Sequence, residues 1–68
     1  METLGQRLSQ SRRDLGLTQR KIAALLNIKQ QSYASYETDA HKPSLEILAE
    51  LSKILEVTTD YLLGLALI

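Results

Sequence analysis

The sequence has no cysteine, no tryptophan and no phenylalanine, and it has one histidine and one proline among 68 residues. Without cysteine, neither a disulfide framework nor a thiolate metal site can stabilise the fold, and the single histidine, His41, cannot form a metal centre alone. No run of about 18 apolar residues is present and no charged-then-apolar leader opens the chain, so we expect a cytoplasmic protein that does not enter a membrane. A chain this short has room for one domain with a thin core.

The residues that are present favour helix, because Leu, Ile, Ala, Glu, Gln, Lys and Arg dominate and only three glycines occur. The formal net charge is zero, which by itself argues against a nucleic-acid-binding protein. The charge is unevenly distributed, however, with +3 on residues 1–37 and −3 on residues 38–68. A local basic face matters more for DNA than the total charge does, although chance clustering on a solvated surface explains the same asymmetry.

Hydrophobic spacing and capping residues predict five helices. Thr3 and Gln6 form a capping-box pattern at the first helix, and Gly16 is placed to end it. Hydroxyl residues suited to N-caps precede three of the others, at Thr18, Ser44 and Thr58. The predicted ranges are Thr3–Leu15, Gln19–Leu26, Lys29 or Gln30 to Glu37, Leu45–Leu55 and Thr59–Leu63. The inward face of the fourth helix is predicted to be Leu45, Leu48, Ala49, Ile54 and Leu55.

Residues 18–37 have the features of two short helices that cross steeply, the second of which can lie in the major groove of DNA. Such a unit needs a small residue at the crossing and a turn residue that tolerates positive φ, and Ala23 and Asn27 meet these two needs. It also needs apolar side chains after the turn and inside the second helix, which Ile28 and Tyr33 supply. The other face of the second helix is polar and uncharged, and it consists of Gln30, Gln31, Ser32 and Ser35.

Several short motifs follow one another in a specific order and spacing: Leu15-Gly16-Leu17-Thr18-Gln19, Ile22-Ala23 with Leu26, Tyr36-Glu37, Lys42-Pro43-Ser44, Val57-Thr58 and Asp60-Tyr61-Leu62-Leu63-Gly64. In these motifs the chain resembles the Cro and phage-repressor type of helix-turn-helix domain, also called the xenobiotic-response-element family, over roughly residues 4–64. The resemblance implies a compact all-α, five-helix, lambda-repressor-like DNA-binding domain over residues 1–68, with the helix-turn-helix unit at about 18–37.

The function that the resemblance implies is sequence-specific regulation of transcription in a bacterium or phage. Its simplest form is a repressor that binds double-stranded DNA of two-fold symmetry as a homodimer, with no cofactor, metal, small-molecule ligand or enzymatic activity. The helix that ends at Glu37 would then be the recognition helix. Base edges would be contacted by Gln30, Gln31, Ser32 and Ser35. The DNA backbone would be contacted by Thr18, Gln19, Arg12, Arg20, Lys29, Thr38 and Lys42.

The resemblance also implies which residues support the recognition helix. Arg12 and Glu37 are expected to pair across the first and third helices, and Gln19 is expected to brace the recognition helix while bonding a phosphate. Tyr33 is expected in the core, with contact to a thymine methyl as the alternative. The full supporting set is Ala23, Asn27, Ile28, Tyr33, Tyr36 and Glu37.

Some positions depart from the family pattern. Lys29 stands where Ser or Thr usually caps the recognition helix, and lysine cannot accept from free N–H groups while its charge opposes the helix dipole by about 0.3–1 kcal/mol. Either the cap is lost, or Lys29 is kept to meet a phosphate or a guanine. Asn27 and Asp39 stand where glycine is usual. Leu25 is either additional core or an exposed apolar residue.

Two questions stay open at this level. The apolar end of the chain is consistent with a self-complementary dimer interface or with a lead into a second domain, and it consists of Leu62, Leu63, Leu65, Leu67 and Ile68. The alternative function is a protein-interaction module, such as an antitoxin that uses the same fold as a scaffold. Ser32 and Glu37 are chemically able to serve as nucleophile and acid, but no positioned base, glycine-rich loop or oxyanion motif accompanies them.

Overall fold

The computed structural model describes residues 2–65, which form five α-helices and no strand. The helices are α1 Leu4–Asp14, α2 Gln19–Leu26, α3 Gln30–Glu37, α4 Leu45–Leu55 and α5 Thr59–Leu63. Each end lies within one residue of its predicted position, and the predicted all-α, five-helix class is confirmed. Within the described residues no helix is long and apolar enough to cross a membrane.

Hydroxyl side chains begin four of the five described helices, as predicted. Each accepts a hydrogen bond from the backbone N–H three residues later, over 3.0–3.2 Å. These N-caps are Thr3, Thr18, Ser44 and Thr58. The capping box of α1 is complete, because Gln6 Oε1 accepts from the Thr3 N–H at 2.9 Å. Asn27 ends α2 in the left-handed conformation, at φ 58° and ψ 44°, which confirms its predicted role in the turn.

The core receives apolar side chains from all five helices. Of the described residues it buries Leu8, Ile22, Ala23, Leu26, Tyr33, Leu48, Leu51, Leu55 and Leu62. Ile28 packs against this core from the turn between α2 and α3, as predicted. The burial of Ala23 at the crossing of α2 and α3 lets the two helices approach closely, so the position of α3 is set by α2 beneath it.

The inward face of α4 differs from the prediction. Leu45 is 81% exposed and Ala49 is exposed, whereas Leu51, which the spacing argument omits, is fully buried. At about 100° per residue, Leu48, Leu51 and Leu55 share one side of the helix, and Leu45 and Ala49 lie roughly 90° or more from its centre. The assignment of Leu45 and Ala49 to the core was therefore wrong, because the core selects a narrower face than the sequence pattern suggests.

The predicted dimer interface at the end of the chain is also corrected. Leu62 has no exposed surface and belongs to the core, so it cannot contact a second copy. Leu63 and Leu65 are 48% and 67% exposed and remain candidates for such a contact. Leu67 and Ile68 lie outside the described residues. Only the side of α5 that faces α1 and α4 is needed to complete the core, which explains why neighbouring leucines have opposite environments.

The first turn of α1 packs directly against the last turn of α3. Gly5 is buried there, and a Cβ at this position would meet the backbone carbonyls of Tyr36, at 2.7 Å, and of Glu37. No side chain fits between the two backbones. The close approach makes α1 a support for the C-terminal end of α3.

Candidate nucleic-acid interface

Four polar side chains from three helices meet beneath α3. Arg12 of α1 donates from Nε and Nη2 to the two carboxylate oxygens of Glu37, at 2.7 and 3.2 Å. Gln19 of α2 donates from Nε2 to Glu37 Oε1 at 3.0 Å, and the Tyr33 hydroxyl donates to Oε2 at 2.6 Å. We call Arg12, Gln19, Tyr33 and Glu37 the Glu37 network. Because one carboxylate accepts four hydrogen bonds, α1, α2 and α3 are joined at a single point.

The Glu37 network is almost removed from solvent, since the side chains of Arg12 and Glu37 are 12% and 6% exposed. Burial raises the pKa of Glu37, but hydrogen bonds from Arg12, Tyr33 and Gln19, with the charge of Arg12, outweigh burial and hold the pKa below its ordinary value. Burial, reinforced by the Glu37 carboxylate, raises the pKa of Tyr33 well above its ordinary value, so the hydroxyl stays a donor. Removing one partner of such a pair costs about 3–5 kcal/mol, because an uncompensated charge stays buried.

The predicted pairing of Arg12 with Glu37 is confirmed, as is the bracing contact of Gln19. The hydrogen bond from Tyr33 to Glu37 was missed, although their spacing of four residues on one helix face is a signal for it. Tyr33 has no exposed surface, which excludes the alternative contact with a thymine methyl. Arg12 also donates to the Leu17 carbonyl at 2.9 Å. Three of the five N–H donors of Arg12 are therefore engaged inside the protein, where they hold Glu37 and the Leu17 carbonyl. Its predicted contact with the DNA backbone stays a prediction.

The opposite face of α3 is open to solvent. Gln30, Gln31 and Ser32 are exposed, and Ser35 is half-buried. Among the described residues, the side chains of Gln30, Gln31 and Ser32 make no hydrogen bond to the protein. The Ser35 hydroxyl donates to the Ser32 carbonyl at 2.6 Å, which leaves its oxygen as an acceptor. Two amides and two hydroxyls are therefore available on this face.

A groove of about 440 Å³ separates this face of α3 from the loop that follows it. The backbone N–H groups of Ala40 and His41 both donate to the Ser35 carbonyl, at 3.0 and 3.2 Å, and hold the loop against the end of α3. The lining of the groove includes the ammonium group of Lys42 and no carboxylate, so its charge suits an anionic ligand. We call it the reading groove, and it is lined by Gln31, Ser32, Ser35, Tyr36, His41 and Lys42.

The remaining residues predicted to contact the DNA backbone lie at the surface around α3. Lys29 has the extended backbone of an N-cap residue, at φ −70° and ψ 147°, but it makes no side-chain cap, so the first N–H groups of α3 have no side-chain partner. The Thr38 hydroxyl donates to the Ser35 carbonyl at 3.2 Å. Leu25 is exposed on α2, which settles the choice between core and surface at that position. The exposed members of the predicted backbone set are Thr18, Arg20, Lys29, Thr38 and Lys42.

Asp39 is a residue of this region whose contacts were not predicted. It lies just after α3 in the left-handed region, at φ 63°. Its Oδ2 accepts from the Thr3 hydroxyl at 2.6 Å and its Oδ1 accepts from the Gly5 N–H at 2.9 Å. These two hydrogen bonds, with the nearby charge of Lys42, lower the pKa of Asp39. The sequence signal was an acidic residue in place of the usual glycine, but its partners lie 34 and 36 residues away.

The position of α3, packed on α2 with one face buried and the other exposed, is that of the second helix of a helix-turn-helix unit. A helix-turn-helix family model matches residues 8–62 of the chain. The chain belongs to the helix-turn-helix family of the Cro and phage-repressor type. The family relation inferred from the short motifs is thereby confirmed.

Among its relatives is the HTH-type transcriptional regulator ImmR of Bacillus subtilis (strain 168), which is 42% identical over 62 residues, or 91% of this chain and 49% of the relative. The chain spans about half the length of the curated relatives it matches. The P22 c2 repressor, solved in complex with synthetic operator 9T, superposes with a TM-score of 0.90 at 26% identity, covering 97% of this chain and 100% of that one. SinR, a master regulator for biofilm formation solved in complex with DNA, gives 0.80 at 26% identity, covering 88% and 97%.

Proposed function

We propose that the chain is the DNA-binding part of a sequence-specific transcriptional regulator, and that it reads the major groove with the exposed face of α3. The observation that carries this proposal is the division of α3 into two faces. One face is fixed by the Glu37 network, while the other presents Gln30 and Gln31 with unbonded amides. The DNA in the P22 c2 and SinR structures and the regulators among the relatives support the same function.

Each polar side chain on and around the exposed face of α3 has a proposed partner in DNA. The amides of Gln30 and Gln31 suit the N6 and N7 atoms of adenine, and Ser32 and Ser35 suit single hydrogen bonds to base edges. Gln19 uses one N–H of its amide on Glu37, so its second N–H is free for a phosphate. The phosphates on either side are then contacted from Thr18, Arg20, Lys29, Thr38 and Lys42.

We further propose that two copies act together on an operator of two-fold symmetry and repress by occupying it. One domain on one half-site buries little surface, so a second copy is needed for useful affinity. The exposed Leu63 and Leu65 offer an apolar patch where two copies can meet around a two-fold axis. A cytoplasmic location and the absence of enzymatic activity follow from this function and stay predictions.

The proposal is tested by selecting duplexes from a random DNA pool and measuring the affinity of the selected duplex across salt concentrations. We expect enrichment of a two-fold symmetric site and a steep fall in affinity with salt, with a slope of about −0.9 for each phosphate contacted. Replacing Gln30 and Gln31 together by alanine should abolish the preference for the selected sequence. Gln10→Ala is the matched control, because Gln10 is an exposed glutamine on α1.

Two results would contradict the proposal. No enrichment of any sequence would favour the protein-interaction alternative, in which the fold is a scaffold. Unchanged sequence preference after loss of both Gln30 and Gln31 would show that α3 does not read the bases.

A further inference from the structure

The loop after α3 is fastened to a distant part of the chain by one side chain. Asp39 accepts hydrogen bonds from the Thr3 hydroxyl and the Gly5 N–H, both at the beginning of α1. We call these two hydrogen bonds the clamp. We propose that Asp39 is a positioning residue for DNA binding, because the clamp fixes the loop that carries Lys42 into the reading groove. This inference rests on the proposed function, since it explains how Lys42 is held in place for its proposed phosphate contact.

The backbone conformation of Asp39 favours glycine, so the carboxylate is what an aspartate contributes at this position. At φ 63° glycine is the least strained residue, and a left-handed conformation is costly for other residues, although Asp and Asn tolerate it best. A glycine would satisfy the backbone but would leave Thr3 and Gly5 without their partner. The two hydrogen bonds, at 2.6 and 2.9 Å, therefore offset a conformational cost that glycine would avoid.

The beginning of α1 is suited to receive this carboxylate. The first turn of α1 contains no acidic residue, and its N–H groups carry the positive end of the helix dipole. Thr3 caps the N–H of Gln6, and Asp39 takes the N–H of Gly5. Since Gly5 has no side chain, the backbone of α1 lies close enough for the clamp to be short. The carboxylate thus adds to the cap of α1 from another part of the chain.

The clamp determines where the following residues lie. The left-handed turn at Asp39 brings the N–H groups of Ala40 and His41 back onto the Ser35 carbonyl, at 3.0 and 3.2 Å. This places His41 and Lys42 on the wall of the reading groove, which Ser35 also lines. Without the carboxylate, the loop keeps only its local bonds to α3, such as those to the Ser35 carbonyl, and loses its hydrogen bonds to α1. The position of Lys42 is then less firmly fixed.

A purely electrostatic role of Asp39 and a positioning role predict opposite changes in DNA affinity when Asp39 is replaced. The direction of the measured change therefore tests the inference. Asp39 lies near Lys42, and a negative charge there repels DNA phosphates. If Asp39 acted only through its charge, removing the charge would strengthen DNA binding in every variant. If it acts by position, a variant that removes both the charge and the clamp weakens binding.

The experiment compares Asp39→Gly with Asp39→Asn on the selected duplex. Glycine adopts the backbone conformation without strain but removes the clamp, so we expect affinity to fall about fivefold and the salt slope to fall by about 0.9 for each protomer. Asparagine also tolerates this conformation and keeps an acceptor for the Gly5 N–H, while its NH2 group can donate to Thr3 Oγ1 and so keep that bond with its direction reversed. Because the clamp is kept and a negative charge is lost, we expect binding tighter than that of the unmodified protein. Glu50→Gln removes an exposed charge on α4 and measures the general effect of charge.

A double variant separates positioning from a direct effect. In a Lys42→Ala background, Asp39→Gly should no longer weaken binding, because the contact that it positions is already gone. It should then show only the gain from the lost charge that Asp39→Asn also shows. In the free protein, hydrogen exchange at the Gly5 amide should accelerate in Asp39→Gly and not in Asp39→Asn, which shows the clamp without DNA.

The outcomes distinguish this inference from the proposed function. Asp39→Gly that binds as tightly as Asp39→Asn overturns the inference alone. The inference is also overturned if Asp39→Gly weakens binding by the same factor with Lys42 and with Lys42→Ala. Failure of the unmodified protein to select any duplex overturns the proposed function, and this inference with it.

Discussion

Helix α3 begins without a side-chain cap, and Lys29 occupies the position where a cap belongs. Its backbone, at φ −70° and ψ 147°, is already that of an N-cap residue, so serine can replace it without rearrangement. The new hydroxyl would accept from the N–H of Ser32, as Ser44 accepts from the N–H of Ile47 at 3.2 Å. A cap of this kind contributes about 1 kcal/mol, and removing a positive charge from the start of a helix adds about 0.3–1 kcal/mol.

We therefore expect Lys29→Ser to raise the free energy of unfolding by about 1–2 kcal/mol, measured by urea unfolding. For a domain of this size each kcal/mol corresponds to a rise in Tm of about 4–8 °C. The same substitution should weaken binding to the selected duplex and reduce its salt slope by about 0.9 for each protomer, because the proposed phosphate contact of Lys29 is lost.

Lys29→Ala is the matched control, since it removes the same charge without adding a cap. It should reproduce the loss in DNA affinity while gaining only the smaller, electrostatic part of the stability. If serine stabilises no more than alanine, the capping argument is wrong. If the salt slope is unchanged in both variants, Lys29 does not contact a phosphate and the missing cap has another origin.

Three further predictions concern the support of α3 and the core. Leu62→Ala should lower the free energy of unfolding by about 2–5 kcal/mol, whereas Leu63→Ala should change it by less than about 0.5 kcal/mol; equal urea midpoints would contradict the burial of Leu62. Tyr33→Phe should cost about 1.5–3 kcal/mol in the same assay, because a hydrogen bond to a buried carboxylate is lost, and an unchanged midpoint would refute that contact. The pKa of Glu37 lies below its unfolded value of about 4.3, so the stability it contributes is present at neutral pH and is lost as the pH falls below about 4. Stability measured against pH should therefore decline less steeply there in Glu37→Gln, and identical profiles would contradict the assignment.

The helices and their ends were predictable because their causes are local. A capping hydroxyl such as Thr18 and a turn residue such as Asn27 act within a few residues of their position, so the sequence alone reveals them. The helix-turn-helix unit followed from the same short-range features together with the order of its motifs. The pairing of Arg12 with Glu37 is a long-range contact, and it came from the resemblance to the family.

The parts that were not predictable depend on the packing of distant segments. Leu45 and Leu51 are both leucines on α4, and only the position of the core decides that the second is buried and the first exposed. Leu62 and Leu63 are adjacent leucines that differ for the same reason. The contacts of Asp39 with Thr3 and Gly5 connect residues whose proximity has no local signal.

The two ends of α3 are held differently, and the difference agrees with the role proposed for each end in DNA binding. The C-terminal end is fixed by Glu37, by the packing of Gly5 and by the clamp at Asp39, whereas the N-terminal end has no side-chain cap. Since Gln30 and Gln31 lie in the first turn, the helix axis is set from one end, while the end proposed to read the bases is free to adjust to DNA. Local stability should therefore rise along α3.

Hydrogen exchange tests this gradient directly. In the free protein the Ser32 amide, which has no side-chain cap, should exchange faster than the Thr38 amide, which is bonded to the Ala34 carbonyl. Binding of the selected duplex should slow exchange at Ser32 more than at Thr38, because α3 is then held from both sides. Lys29→Ser should slow exchange at Ser32 without DNA, and equal exchange at both ends in the unmodified protein would show that α3 is uniformly fixed.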